Sequence, residues 1–148
     1  MAFVRRIGIA VREDALGPSL LPGLDVRYGA VVIDRARWRY PGDLLHEAGH
    51  VAVAAPEQRQ HETLPSDPGD EMAAIAWSYA ACRHIGLAPA VVFHPHGYRG
   101  WSPSLIENFD AGRYVGVPLL HCYGMAVERR QARPGAPPPY PHMLRWLR

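Results

Sequence analysis

A start signal at Asp67-Pro68 and a stop at Gly86 enclose an alanine-rich stretch, and no other feature of the chain restricts its fold as much. Asp67 suits a helix N-cap, because a short side-chain oxygen there accepts backbone N–H groups that the first turn leaves unpaired. Pro68 suits the first helical position, where it has no hydrogen bond to lose. Asp70 follows Asp67 by three residues, as in a capping box with a shorter acid. Gly86 can end the helix in a left-handed conformation. This pattern predicts a helix of about 18 residues over Pro68–Ile85.

The remaining elements are read around that helix. Phe3–Arg12 and Tyr28–Arg37, the latter with the run Ala30-Val31-Val32-Ile33, read as strands. Gly17-Pro18 and Pro22-Gly23 punctuate a loop between them. Pro41-Gly42 stops the strand pattern, and Asp43 is expected to cap a helix that runs until Pro56, followed by a polar loop over Glu57–Ser66. After Gly86, Ala90–Phe93 reads as a short strand. Ser102-Pro103 opens a helix ending near Gly112, and Pro118 opens another that reaches about Ala132. Five prolines between Pro134 and Pro141 predict an extended tail, and Met143–Arg148 is expected to dock through Leu144, Trp146 and Leu147. Strands first and helices after argue for an α+β fold, with a domain over residues 1–133 and a Pro-rich tail over 134–148.

Composition excludes several classes. The chain has 148 residues, enough for one domain with a core that needs no disulfide staples. Sixteen cations, all arginine, face fourteen anions, and a net charge of +2 sets up no strong field for DNA or anionic lipid. No apolar stretch reaches membrane-spanning length. The run Ile7–Val11 is too short for a signal peptide, so a cytoplasmic protein is expected. Cys82 and Cys122 form no paired metal motif and read as small core residues in a reducing compartment.

Inside the expected 43–56 helix stands His46-Glu47-Ala48-Gly49-His50, an H-E-x-x-H. Residues four apart share a helix face, so both imidazoles can hold one Zn²⁺. Glu47 then sits beside the metal and can take a proton from a bound water whose pKa zinc lowers to roughly 7. The competing reading is a helix whose His and Glu merely face solvent. A catalytic zinc also needs a third protein ligand. Glu71, 21 residues after His50, lies in the first turn of the long helix on the face of Ile75, Ser78 and Cys82. Two helices joined by a loop of this length can bring that turn against the His46/His50 face. The alternative role for Glu71 is an acid favouring the helix dipole, worth about 0.3–1 kcal/mol.

With His46, Glu47, His50 and Glu71, and the run Glu71-Met72-Ala73-Ala74-Ile75-Ala76-Trp77-Ser78-Tyr79-Ala80, the chain resembles gluzincin metallopeptidases. Among them it is most similar to small single-domain ones such as the ImmA/IrrE family. The metzincin extension fails, since Val53 and Pro56 stand where Gly and His are needed. Peptide deformylases take an upstream Cys, and both cysteines here lie downstream. Site-2-type proteases need membrane spans. The resemblance covers residues 28–85 and implies a zincin-like α+β fold: a small N-terminal sheet, a metal-binding helix, a Glu-bearing helix and a helical C-terminal half. It implies zinc-dependent hydrolysis of a peptide or protein substrate, with Glu47 as general base and His46, His50 and Glu71 as metal ligands. Substrate is expected along an edge strand, with Tyr28–Ile33 the candidate. Where some gluzincins place an Asp to orient a ligand His, this chain has Ile75, so Asp34 and Asp110 become candidates for that task.

Such families commonly use a downstream His or Tyr to stabilise the oxyanion. Here Tyr98 and His96 come first, then His94; Tyr114 and His121 are further candidates, although His121 reads equally as a satisfied core residue. His94-Pro95-His96 could also chelate as His-x-His does in cupins, but the Ala-rich helix opposes an all-β fold. Two other classes remain open. One is a zinc-binding pseudoenzyme. The other is a regulatory or interaction module using Arg129, Arg130, Arg133, Arg145 and Arg148, with Tyr140 and Trp146 interleaved. No recognition motif accompanies that basic stretch, so nucleic acid is not the expected partner. A protein partner or a second copy is expected to complete the cleft of so short a chain.

Overall fold

Ala30-Val31-Val32-Ile33 is apolar at four successive positions, the pattern of a strand covered on both faces. In the structure, a computed structural model that describes residues 1–18, 21–65 and 67–148, this run is the central strand of a three-stranded sheet. Ser19 and Leu20, in the expected first loop, and Ser66, at the end of the second, lie outside the described residues. Strand β1 (Ala10–Glu13) pairs parallel to β3 (Ala30–Ile33), with Val11 opposite Val31. Strand β2 (Leu24–Arg27) pairs antiparallel to β3 on its other side, with Val26 opposite Val31. All four β3 residues are buried, whereas β2 alternates, burying Leu24 and Val26 but not Asp25 or Arg27.

Two strand expectations are corrected here. Tyr28 does not begin a strand; Tyr28 (φ 50°) and Gly29 (φ 65°) form the two-residue hairpin turn between β2 and β3. The segment that includes Tyr28–Ile33 is therefore central, not an edge, and the edges are β1 and β2. Phe3–Arg12 also divides. Ala2–Arg6 is a helix, α1, burying Phe3 and Val4, and Gly8 (φ 98°) turns the chain into β1. An apolar run this short carries no periodicity long enough to separate helix from strand.

Helix α2 (Asp43–Val53) packs on β2 and β3, and α3 (Pro68–His84) packs on α2. The signals around α3 act as their chemistry requires. The Asp67 carboxylate accepts the N–H groups of Gly69 (2.7 Å) and Asp70 (3.2 Å). At the far end Gly86 (φ 74°) donates to Arg83 and Leu87 donates to Cys82, a Schellman ending. Every residue from Ala73 to Cys82 is buried, so α3 has no polar face along that stretch. Alanines there let neighbouring elements approach on several sides, and Trp77 is fully buried among them.

The C-terminal half holds three shorter helices: α4 (Pro89–Val92), α5 (Ser102–Asp110) and α6 (Val117–Cys122). The strand expected over Ala90–Phe93 is a helical turn instead, opened by Pro89 at its first position. Helix α6 stops well short of Ala132. Gly124 (φ 67°) donates to His121 and Met125 donates to Leu120, closing it with a second Schellman motif. Farther on, the Tyr140 hydroxyl donates to the Ala76 carbonyl (2.8 Å) and Met143 bridges to Ala126. Trp146 meets Phe3 and Trp77 edge-on, while Leu144 is exposed rather than docked. Cys82 is buried as expected, but Cys122 is exposed. Among the described residues the architecture is α+β, one small mixed sheet with six helices, and no helix is long and apolar enough to cross a membrane.

Candidate metal centre

The site is built on α2. Its first turn corrects one expectation: Asp43 does not cap the helix. Gly42 occupies the cap because a Cβ there would fall 1.8 Å from the Val91 carbonyl oxygen, where α4 crosses. Asp43 is instead buried, with Oδ1 2.7 Å from Nε2 of His94, itself buried. One turn on, His46 and His50 project from the same face, as their spacing requires, and their Nε2 atoms lie 3.1 Å apart. Their rings stand nearly perpendicular, at 80°. His46, Glu47 and His50 each bring a ligand-type atom within 4.8 Å of the others, a group that could hold a metal ion.

Glu71, in the first turn of α3, arrives from the neighbouring helix. One carboxylate oxygen is 3.5 Å from His46 Nε2 and the other 3.2 Å from His50 Nε2. The approach depends on small residues where α2 crosses α3. Gly49, between the two histidines, faces Ala74, and a Cβ on Gly49 would lie 2.9 Å from the Ala74 carbonyl oxygen.

Burial and charge divide these groups. Burial holds the His46 imidazole down to about 4, helped by the His50 cation and opposed by the Glu71 carboxylate. Burial also works against a charged His50, but the hydrogen bond its ring N–H donates to Glu71 and the nearby Glu47, Glu71 and Asp70 carboxylates raise it above its ordinary value. The Glu71 carboxyl is lowered, first by that same hydrogen bond. Glu47 is raised to about 7, chiefly by burial, with Glu71, Asp43 and Asp25 adding to the effect and His50 opposing it.

The loop after α4 closes one side. Tyr98 packs edge-on against His46 at 5.2 Å between ring centroids, and its hydroxyl is buried beside the Ser78 side chain of α3. Burial, then the Asp43, Glu71 and Glu47 carboxylates, push this phenol well above its ordinary pKa, against a smaller pull from Ser78. Tyr98 (φ 54°) and Arg99 (φ 51°) are consecutive left-handed residues that are not glycine. Each such conformation costs about 1–3 kcal/mol and tends to gather at working sites.

Other candidates lie elsewhere. His96 is exposed and stacks on Tyr40 at 5.4 Å. His94 is engaged with Asp43. Tyr114 belongs to an aromatic cluster with Tyr79, Phe109 and Tyr140, and His121 Nδ1 meets the Ala126 carbonyl. Neither proposed orienting acid reaches a site histidine: Asp34 accepts backbone N–H groups of Leu16 and Ala36, and Asp110 accepts the Tyr79 hydroxyl. His46 Nδ1 is left buried and unpaired among the described residues. Sequence reasoning missed the Asp43–His94 contact; an Asp after glycine at a helix start reads as a cap, and nothing local shows it pointing inward.

Compared with known proteins, the chain matches no family model, and neither a curated protein nor a solved structure matches it significantly.

Proposed function

We propose that the protein is a zinc metallopeptidase of the gluzincin kind, with His46, His50 and Glu71 as ligands and Glu47 as general base. The observation that carries this reading is the triangle of two imidazole nitrogens and a carboxylate, 3.1–3.5 Å on a side. Ligand atoms around a tetrahedral zinc at about 2.0–2.1 Å stand about 3.3 Å from one another, close to the spacing of the two nitrogens and of each nitrogen from one of the two Glu71 oxygens. Two nitrogens and one oxygen also leave a fourth position for water, as a catalytic site needs. Glu71 is the third ligand in this reading because its two carboxylate oxygens lie 3.5 and 3.2 Å from the His46 and His50 Nε2 atoms.

When bound, zinc supplies a Lewis acid and brings the pKa of water to roughly 7. Glu47, itself raised to about 7, can accept a proton from water at neutral pH and return it to the leaving amine. Tyr98, whose ring packs on His46 and whose hydroxyl is buried, is suited to donate to the developing oxyanion. Substrate would lie along the β2 edge, since α2 packs on β2 and Asp25 of that strand acts electrostatically on Glu47.

The competing reading is a zinc-holding module that binds without cleaving. It has in its favour a groove of about 540 Å³ lined by Arg113, Arg129 and Arg130 around Tyr114 and Val115. Two other arginines of the basic stretch are occupied within the chain. Arg145 donates to the Tyr123 carbonyl, and Arg148 stacks over the Tyr123 ring at 3.8 Å. Glu47→Gln separates the two readings. In a peptidase it keeps the metal and lowers hydrolysis of a cleavable peptide library by about 10²–10⁴-fold. A wild-type protein that binds zinc yet cleaves nothing in the library contradicts the peptidase.

A further inference from the structure

The loop His94–Gly100 carries the Tyr98 ring that packs on His46, yet its backbone at Tyr98 and Arg99 is one that side chains disfavour. Such a conformation persists only where its surroundings fix it. The fixing point is His94. Its Nε2 is 2.7 Å from Asp43 Oδ1, its ring stacks on Tyr40 at 4.2 Å, and its carbonyl accepts the Ser102 hydroxyl (2.7 Å) and the Gly97 N–H (3.1 Å). Gly97 lies against the same ring, where an added Cβ would stand 3.2 Å away. Asp43, the other end of the bond, belongs to the first turn of α2, one turn before His46. The loop is thereby registered on the same rigid helix that presents both histidines.

We propose that Asp43 and His94 are positioning residues, a buried strap between α2 and the 94–100 loop that holds the Tyr98 hydroxyl over the metal centre. The proposal rests on the peptidase reading for what Tyr98 does there, but not for what holds it. Asp43 and His94 are bonded to each other rather than to His46, His50 or Glu71, so His94 acts through the loop, and Asp43 acts through it in addition to its field on Glu47. A buried carboxylate and imidazole taken out of water need each other, so removing either leaves the other without a partner.

The test uses the full-length zinc-loaded protein, with Asp43→Ala, Asp43→Asn, His94→Gln, Tyr98→Phe and the Asp43→Ala/Tyr98→Phe double variant. Zinc content, amide hydrogen exchange over residues 94–101 and peptide hydrolysis are read together. Asp43→Ala is expected to keep its zinc and to speed exchange of the Gly97, Gly100 and Trp101 amides by at least about tenfold. Its kcat should fall to the level of Tyr98→Phe, roughly 10²–10³-fold down, with KM little changed. Asp43→Asn, which keeps a carbonyl acceptor for the imidazole, should recover most of the loss. The double variant should be no worse than Tyr98→Phe alone, because both changes remove the same interaction. Additive losses, or exchange unchanged in both Asp43→Ala and His94→Gln, would overturn the proposal. If Asp43→Ala unfolds, His94→Gln carries the same readouts from the loop side. If the wild-type protein cleaves no peptide, the peptidase reading fails and exchange alone decides the strap.

Discussion

His46 and His50 come from one turn of one helix, yet the protein treats their protons oppositely. The buried His46 stays neutral down to about 4, whereas His50, hydrogen-bonded to Glu71, holds its proton above the ordinary imidazole range. A metal needs both nitrogens bare, so zinc must displace the His50 proton. Falling pH refills that nitrogen and weakens binding; rising pH clears it and strengthens binding. Zinc uptake should therefore release a proton near neutral pH, with apparent affinity rising up to about tenfold per pH unit below the His50 titration. Calorimetry in two buffers of different ionisation enthalpy measures the proton, and uptake with no proton release below pH 6.5 would contradict the assignment. At this scale His46, Glu47 and His50 are legible because one-turn spacing fixes their common face. Asp43 is not, since its partner His94 is 51 residues away and only the tertiary fold brings them together.

At the scale of elements, the candidate metal site depends on how closely α3 crosses α2. Gly49 lies at that crossing, with the Ala74 carbonyl where a side chain would be. Gly49→Ala has the better helix propensity, worth about 1 kcal/mol in its favour, but here it pushes two backbones apart. Overpacking of this kind typically costs about 1–3 kcal/mol. It should also carry Glu71 away from the histidines, so denaturant stability and zinc affinity should fall together. Unchanged zinc affinity in a folded Gly49→Ala would show that the crossing does not set the site. Elements with chemical punctuation at both ends were readable: Asp67, Pro68 and Gly86 mark α3, and Ser102, Pro103 and Gly112 mark α5. Several shorter segments were not. Ala2–Arg6, Ala90–Phe93 and the Tyr28-Gly29 turn are too short for a period, and their state follows from what packs on them.

Across the whole molecule, distant segments converge on the end of α2. The Arg59 guanidinium donates to the carbonyls of Val51, Ala52 and Ala54 where α2 ends, and to that of Arg148. The Arg148 N–H in turn reaches the Ala52 carbonyl at 2.9 Å, and its guanidinium lies over Tyr123, whose hydroxyl donates to Asp70 in the first turn of α3. Chain from 59 and 148 thus holds the two helices that carry His46, His50 and Glu71, an arrangement no local pattern announces. The claim on which the rest depends is that these helices assemble one zinc site from three side chains. It is measured by elemental analysis of the full-length protein purified without chelator or affinity tag, as wild type and as Glu71→Ala. The account predicts about one zinc per chain in the wild type and a steep fall in the variant. Wild-type protein that takes up no zinc even when zinc is supplied, or a Glu71→Ala protein that retains it in full, would contradict it.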